Sequence, residues 1–134
     1  MKEYTKFHDG SFAGLWIDGR TVHIFLATER REQFTAVAAG VEALAVNGVK
    51  AGNIIFEVLE RGLDEILPDD IKVLYALREG PPGAAQIAAL LEKVNTQGWK
   101  ILEIEPSYGA SCLVLASSID VVRREEWLEQ YVAT

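Results

Sequence analysis

The sequence predicts a mixed α/β (α+β) fold: split β-α-β units, repeated in tandem, with helices on an antiparallel sheet. Three observations carry this. Apolar residues recur at helical spacing in Phe34–Ala45, Ala84–Val94 and Val121–Val132, and strand-like runs stand between them. The second half reads strand, helix, strand, strand, helix, the order of a split β-α-β unit. The two halves also echo each other, since EALAVNGVK (Glu42–Lys50) and LLEKVNTQGWK (Leu90–Lys100) both give a helix end, Val-Asn, a glycine, a lysine and a strand.

Each element has its own signal. Residues 1–11 are polar and read as a flexible lead-in. FAGLWIDGRTVHIFLA (Phe12–Ala27) places Asp18-Gly19 between two apolar runs, a hairpin signal because such turns need positive φ. A two-residue turn there puts Leu15, Ile17, Val22 and Ile24 on one face, and Phe12, Trp16, His23 and Phe25 on the other. Thr28 caps a helix carrying Phe34, Val37, Ala38, Val41, Leu44 and Ala45, and Asn47-Gly48 stops it. Ile54–Leu59 is a strand, Leu63–Leu67 a short helix ended by Pro68, and Ile71–Leu77 a strand. A helix from Pro82 to Asn95 bears Ala84, Ile87, Ala88, Leu91 and Val94 on one side. Trp99–Glu105 and Cys112–Ala116 are strands, and Ser117 with Asp120 opens a last helix. The expected division is a lead-in over 1–11, an abbreviated ferredoxin-like unit over 12–68 beginning with the hairpin, and a second such unit over 69–134. The strands are apolar on both faces, so each sheet needs a cover: its duplicate, or a second chain.

Composition narrows the functions. The 134 residues are 49% hydrophobic and 25% charged, enough for a real core, with the charges dispersed. A net charge of −7 and isolated Arg30-Arg31 and Arg123-Arg124 pairs argue against nucleic acid. One cysteine, Cys112, excludes an internal disulfide and a cysteine metal cluster, and two histidines without a spaced carboxylate set give no metal site. No apolar run is long enough to span a membrane, no signal-peptide core follows the N-terminus, and a cytoplasmic location is expected. No cofactor is expected.

Between the Ile71–Leu77 run and the following helix stands Glu79-Gly80-Pro81-Pro82-Gly83-Ala84-Ala85. The prolines pre-set φ and remove two N–H groups, and the N–H groups of Gly83, Ala84 and Ala85 begin the helix with no capping side chain. Such a start suits a small anion such as a carboxylate, or it is a turn satisfied by water. Pro82-Gly83 at the strand–helix turn, and Gly98-Trp99-Lys100-Ile101 at the next strand, resemble an ACT domain, a small amino-acid-sensing module of biosynthetic enzymes. The resemblance covers Ile71 to Val132, and Leu102–Ser107 is similar to the second strand of aspartokinase-type members. In the first half, Thr28-Glu29-Arg30-Arg31 stands where that family has Pro-Gly. The resemblance implies an amino-acid effector held by Gly80, Pro82, Gly83 and Ala84, with Ile87 and Ser107 beside it. It also implies a homodimer and a partner enzyme that the module regulates.

Other chemistry-bearing residues have plainer readings. His23 lies among aromatic residues, where packing and a hydrogen bond are expected. Cys112 is expected to be a buried small hydrophobe, and Glu103 and Glu105 the exposed side of their strand. Three functions stand: an amino-acid-binding regulatory module without catalytic residues, a dimerisation or interaction module without a small ligand, and a small enzyme using His23 with Glu103 and Glu105. The first is the reading adopted.

Overall fold

The computed structural model describes residues 1–77 and 81–132. The fold is mixed α/β, and the described residues form one antiparallel sheet of seven strands and three α-helices. The strands are β1 (Lys2–Glu3), β2 (Ser11–Asp18), β3 (Thr21–Ala27), β4 (Gln33–Asn47), β5 (Ile54–Arg61), β6 (Lys100–Tyr108) and β7 (Ser111–Arg123). The helices are α1 (Pro68–Tyr75), α2 (Pro81–Gln97) and α3 (Arg124–Tyr131). The sheet order is β1-β5-β2-β3-β4-β7-β6, and β5 also pairs with β6, so β2, β3, β4, β7, β6 and β5 close into a ring. The closure is made by the N-terminal segment. Tyr4 N–H donates to Val58 O, Asp9 N–H to Ile55 O, and Ile55 N–H to Gly10 O, while Ser11 pairs with Ile54. A closed ring leaves few unpaired strand edges.

The strands form because the ring wall is packed on its inner side and covered over much of its outer side. Inside it Phe7, Phe12, Val22, Ile24, Leu26, Phe34, Ile55, Val58, Leu102, Ile104 and Val114 pack with Ala36, Ala38, Ala116 and Cys112. The alanines matter, because a narrow closed barrel admits large side chains only beside small ones. Outside, Ile66, Ile71, Leu74, Val94, Trp99, Ile101 and Leu115 form a second cluster under α1 and α2. Val37, Val122, Trp127 and the half-buried Phe25 form a third beneath α3.

Several sequence expectations fail here, each for a stated physical reason. Phe34–Ala45 is not helical; it lies in β4, paired with β3 and β7. Its alternate residues are apolar on both faces, so the two-residue period is masked, and alanine-rich composition imitates a helix. Ile71–Leu77 is not a strand, for Pro68 begins a helix rather than ending one. Proline is suited to the first helical position, and Asp69 and Asp70 then occupy the favourable first turn. The Leu63–Leu67 segment is a turn after β5 instead of a helix, and the residues from Ser117 to Arg123 continue β7 instead of opening the last helix, which starts at Arg124. Each half therefore lacks the expected strand-helix-strand order, and every pairing in the sheet is antiparallel. The lead-in over 1–11 is an integral part of the wall, with Phe7 fully buried.

The hairpin does form, with its turn one residue later than expected. Asp18 pairs with Thr21, and Gly19 takes φ +59° at the first central position, where a type II′ turn needs glycine. Leu15, Ile17, Val22 and Ile24 share a face as expected. Phe12 does not share the face of Trp16, His23 and Phe25, because a bulge between Phe12 and Gly14 turns it into the barrel.

Candidate functional site

A cavity of about 490 Å³ opens at one end of the barrel. Its wall begins with Ser11–Leu15 of β2, where Phe12 pairs with Leu26 and Gly14 with Phe25. The bulge leaves Ala13 without a cross-strand partner and exposed to the cavity mouth. Val46 at the end of β4, the 49–53 loop and Ala110 of the β6–β7 turn complete the lining.

Asn53 holds these three pieces together. Its Oδ1 accepts from Lys50 N–H and Ala110 N–H, both at 2.9 Å. Its Nδ2 donates to Lys50 O at 3.1 Å and Phe12 O at 3.4 Å. Its own carbonyl accepts from Phe12 N–H at 3.0 Å. One side chain therefore uses both donor hydrogens and its carbonyl to fix the loop, the bulged strand and the turn. The walls are mainly apolar (Phe12, Ala13, Leu15, Val46, Val49), and among the described residues of the lining Lys50 alone is charged. A concave apolar site of this size with one fixed polar cluster and one cation suits a small molecule with an apolar body and an anionic end.

The residues singled out in the sequence lie elsewhere. Gly80 falls outside the described residues, and Pro82 is in the backbone of the first turn of α2. Gly83 is buried in that turn, and Ala84 is exposed. Ile87 packs into the cluster under α1 and α2, whereas the Ser107 hydroxyl donates to Ile54 O at 3.4 Å. The contacts of Ile87 and Ser107 thus engage different parts of the molecule.

His23 is 1% exposed, and its Nδ1 accepts the indole N–H of Trp127 at 2.9 Å. Trp16 stacks on it at 4.6 Å, and Tyr131 meets it edge-on at 5.1 Å. The imidazole is packed and hydrogen-bonded, as its aromatic neighbours suggested. Cys112 lies in the barrel interior, where burial pushes its thiol up to about 12. Glu103 pairs with Arg61 at 3.1 Å, and Glu105 stands opposite Glu57. The candidate acid–base groups are therefore held apart: His23 under α3, Glu103 at Arg61, and Glu105 on the outer face of β6.

Sequence reasoning missed Asn53, Lys50 and Ala13. A signal for Ala13 was present, since Gly14 within a strand pattern marks a bulge. The local bonds of Asn53 to Lys50 mark a turn and no more, and its partners Phe12 and Ala110, which make it a clasp, are remote in sequence.

No family model, curated protein or solved structure matches the chain.

Proposed function

We propose that the chain is a small-molecule binding module whose ligand is a small amphipathic acid, amino acids included, taken up at the barrel mouth. The observation that carries this is the cavity of about 490 Å³ with apolar walls, Lys50 in its rim and a polar clasp at Asn53. Binding would act on stability and on the partner by mass action, favouring whichever arrangement of the 49–53 loop contacts the ligand. Amino acids are the first class to try because they join a carboxylate to a small body, and regulation of a partner enzyme or ligand-linked dimerisation is the proposed output. The Gly80-Pro81-Pro82-Gly83 resemblance adds sequence support only, since the helix α1, not a strand, is the element before α2 among the described residues.

The test is the melting temperature of the full chain against a panel of amino acids and short-chain organic acids at millimolar concentration. A ligand at a hundred times its dissociation constant adds about 2.7 kcal/mol, a shift of several degrees. Ala13→Trp, at an exposed lining position, should fill the mouth and abolish the shift while the protein stays folded. A shift that survives Ala13→Trp and is lost in Ala84→Trp would move the site to the start of α2. A flat panel on folded protein would leave an interaction module without a small ligand.

A further inference from the structure

Where the Ile54–Glu57 end of β5 meets the Glu105–Tyr108 end of β6, no helix among the described residues covers the outer face, yet it bears large apolar side chains. Ile54, Phe56 and Tyr108 are 45%, 47% and 56% exposed, and Ile54 stands directly opposite Tyr108. Two bulges between Ile54 and Glu57 bring Phe56 onto this surface. The register then places Glu57 opposite Glu105. Like charges in direct cross-strand opposition are unfavourable, and a hydrogen bond between the two carboxyls holds Glu57 above the ordinary carboxylate range.

Beside this pair lies a second cavity, of about 330 Å³, lined by Glu3, Tyr4, Thr5, His8, Phe56 and Glu57. Glu3 and Glu57 together with the rings of Tyr4 and Phe56 line one socket, a combination whose chemistry suits a cation. Within the chain, Lys2 Nζ already sits 4.8 Å over the Tyr4 ring, and His8 meets Phe56 edge-on at 5.7 Å. His8 Nδ1 donates to Phe56 O at 2.7 Å, and Nε2 lies 3.5 Å from Asp9, so the histidine braces the socket rather than filling it.

We infer that this face docks a protein partner with a basic, apolar surface: an arginine or lysine enters the Glu3–Glu57 socket, and apolar side chains cover Ile54, Phe56 and Tyr108. Charge complementarity selects that occupant, because a cation in the socket beside Glu57 offsets its opposition to Glu105, whereas a second copy of a chain of net charge −7 brings further negative charge. The socket differs in chemistry from the barrel-mouth cavity and shares no lining residue with it, so the two proposals stand independently.

The experiment is a titration of the ¹⁵N-labelled full chain with two synthetic peptides of alternating charged and aromatic residues, one with lysine and arginine, the other with glutamate. The basic peptide should shift the amides of 54–57, 105, 107 and 108, and its affinity should fall about tenfold in Phe56→Asp and in the double variant Glu57→Gln/Glu105→Gln. Val73→Asp, an equally exposed apolar position on α1, should leave affinity unchanged. Shifts spread over other acidic surfaces, or equal loss in Val73→Asp, would overturn the inference. So would association of the chain with itself that Phe56→Asp abolishes, because the occupant would then be a second copy.

Discussion

Arg61 is the residue in which burial and charge conflict most sharply. It is 5% exposed, yet carries a full charge, held by Asp70 through two hydrogen bonds of 2.5 and 2.8 Å, by Glu103 at 3.1 Å and by Glu65 O at 3.1 Å. Its Nε has no hydrogen-bond partner among the described residues. Breaking such a pair leaves an uncompensated buried charge, so Asp70→Asn should cost about 3 kcal/mol in urea unfolding, whereas Arg61→Met with Asp70→Leu should cost less than the single change. His23 gives a second residue-scale prediction. Burial depresses its pKa below the ordinary 6.5, and protonation would remove the acceptor for Trp127. As pH falls below 6.5 the unfolded chain takes up this proton before the folded one does. The contribution is therefore complete above that value and is lost as pH drops toward the depressed one. In a His8→Gln background, which removes the other histidine, the urea midpoint should fall between pH 7.5 and 5 more steeply than in the same background with His23→Gln.

Among the elements, the N-terminal segment shows how a stretch without periodicity becomes a wall. Gly10 N–H donates to Phe7 O, and Gly10 O accepts from Ile55. A Cβ on Gly10 would lie 2.1 Å from Ala27 O and 2.9 Å from Phe7 O, both backbone atoms that cannot swing away. Gly10→Val should therefore open the ring between β2 and β5, lower stability by about 3 kcal/mol and raise amide exchange at Ile55 above that of the β4 amides. Legibility from sequence differs by element for comparable reasons. The hairpin, α2 and β6 were readable, because turn chemistry or a helical stripe is local. The strand β4 was not, since its two covered faces hide the alternation. Helix α1 is hidden because Pro68 after an apolar run reads as a stop, whereas it begins the helix and the Asp70 carboxylate accepts Leu67 N–H at 2.7 Å. The site depended on Asn53 bonding across to Phe12 and Ala110, and no spacing rule expresses that.

At the scale of the whole molecule, the acidic chain surrounds two cores, one inside the barrel and one under α1 and α2, with α3 fastened over a third cluster. That fastening uses Arg124, whose Nε donates to Thr35 Oγ1 at 2.9 Å and whose guanidinium also bonds Phe34 O, together with Trp127. The longest seam is β4 with β7, running from Asn47 opposite Ser111 to Phe34 opposite Arg123. Its partners are separated in sequence by 64 residues at one end (111 − 47) and 89 at the other (123 − 34). Ordering so long a loop must precede any gain from the contacts it closes, which places the chain among slow folders, on the order of milliseconds to seconds. During synthesis the β2–β3–β4 meander would emerge complete while β7 is still unmade. Phe34, Ala36 and Ala38 would then face water until Arg123 arrives, and the nascent chain would depend on chaperones for that interval.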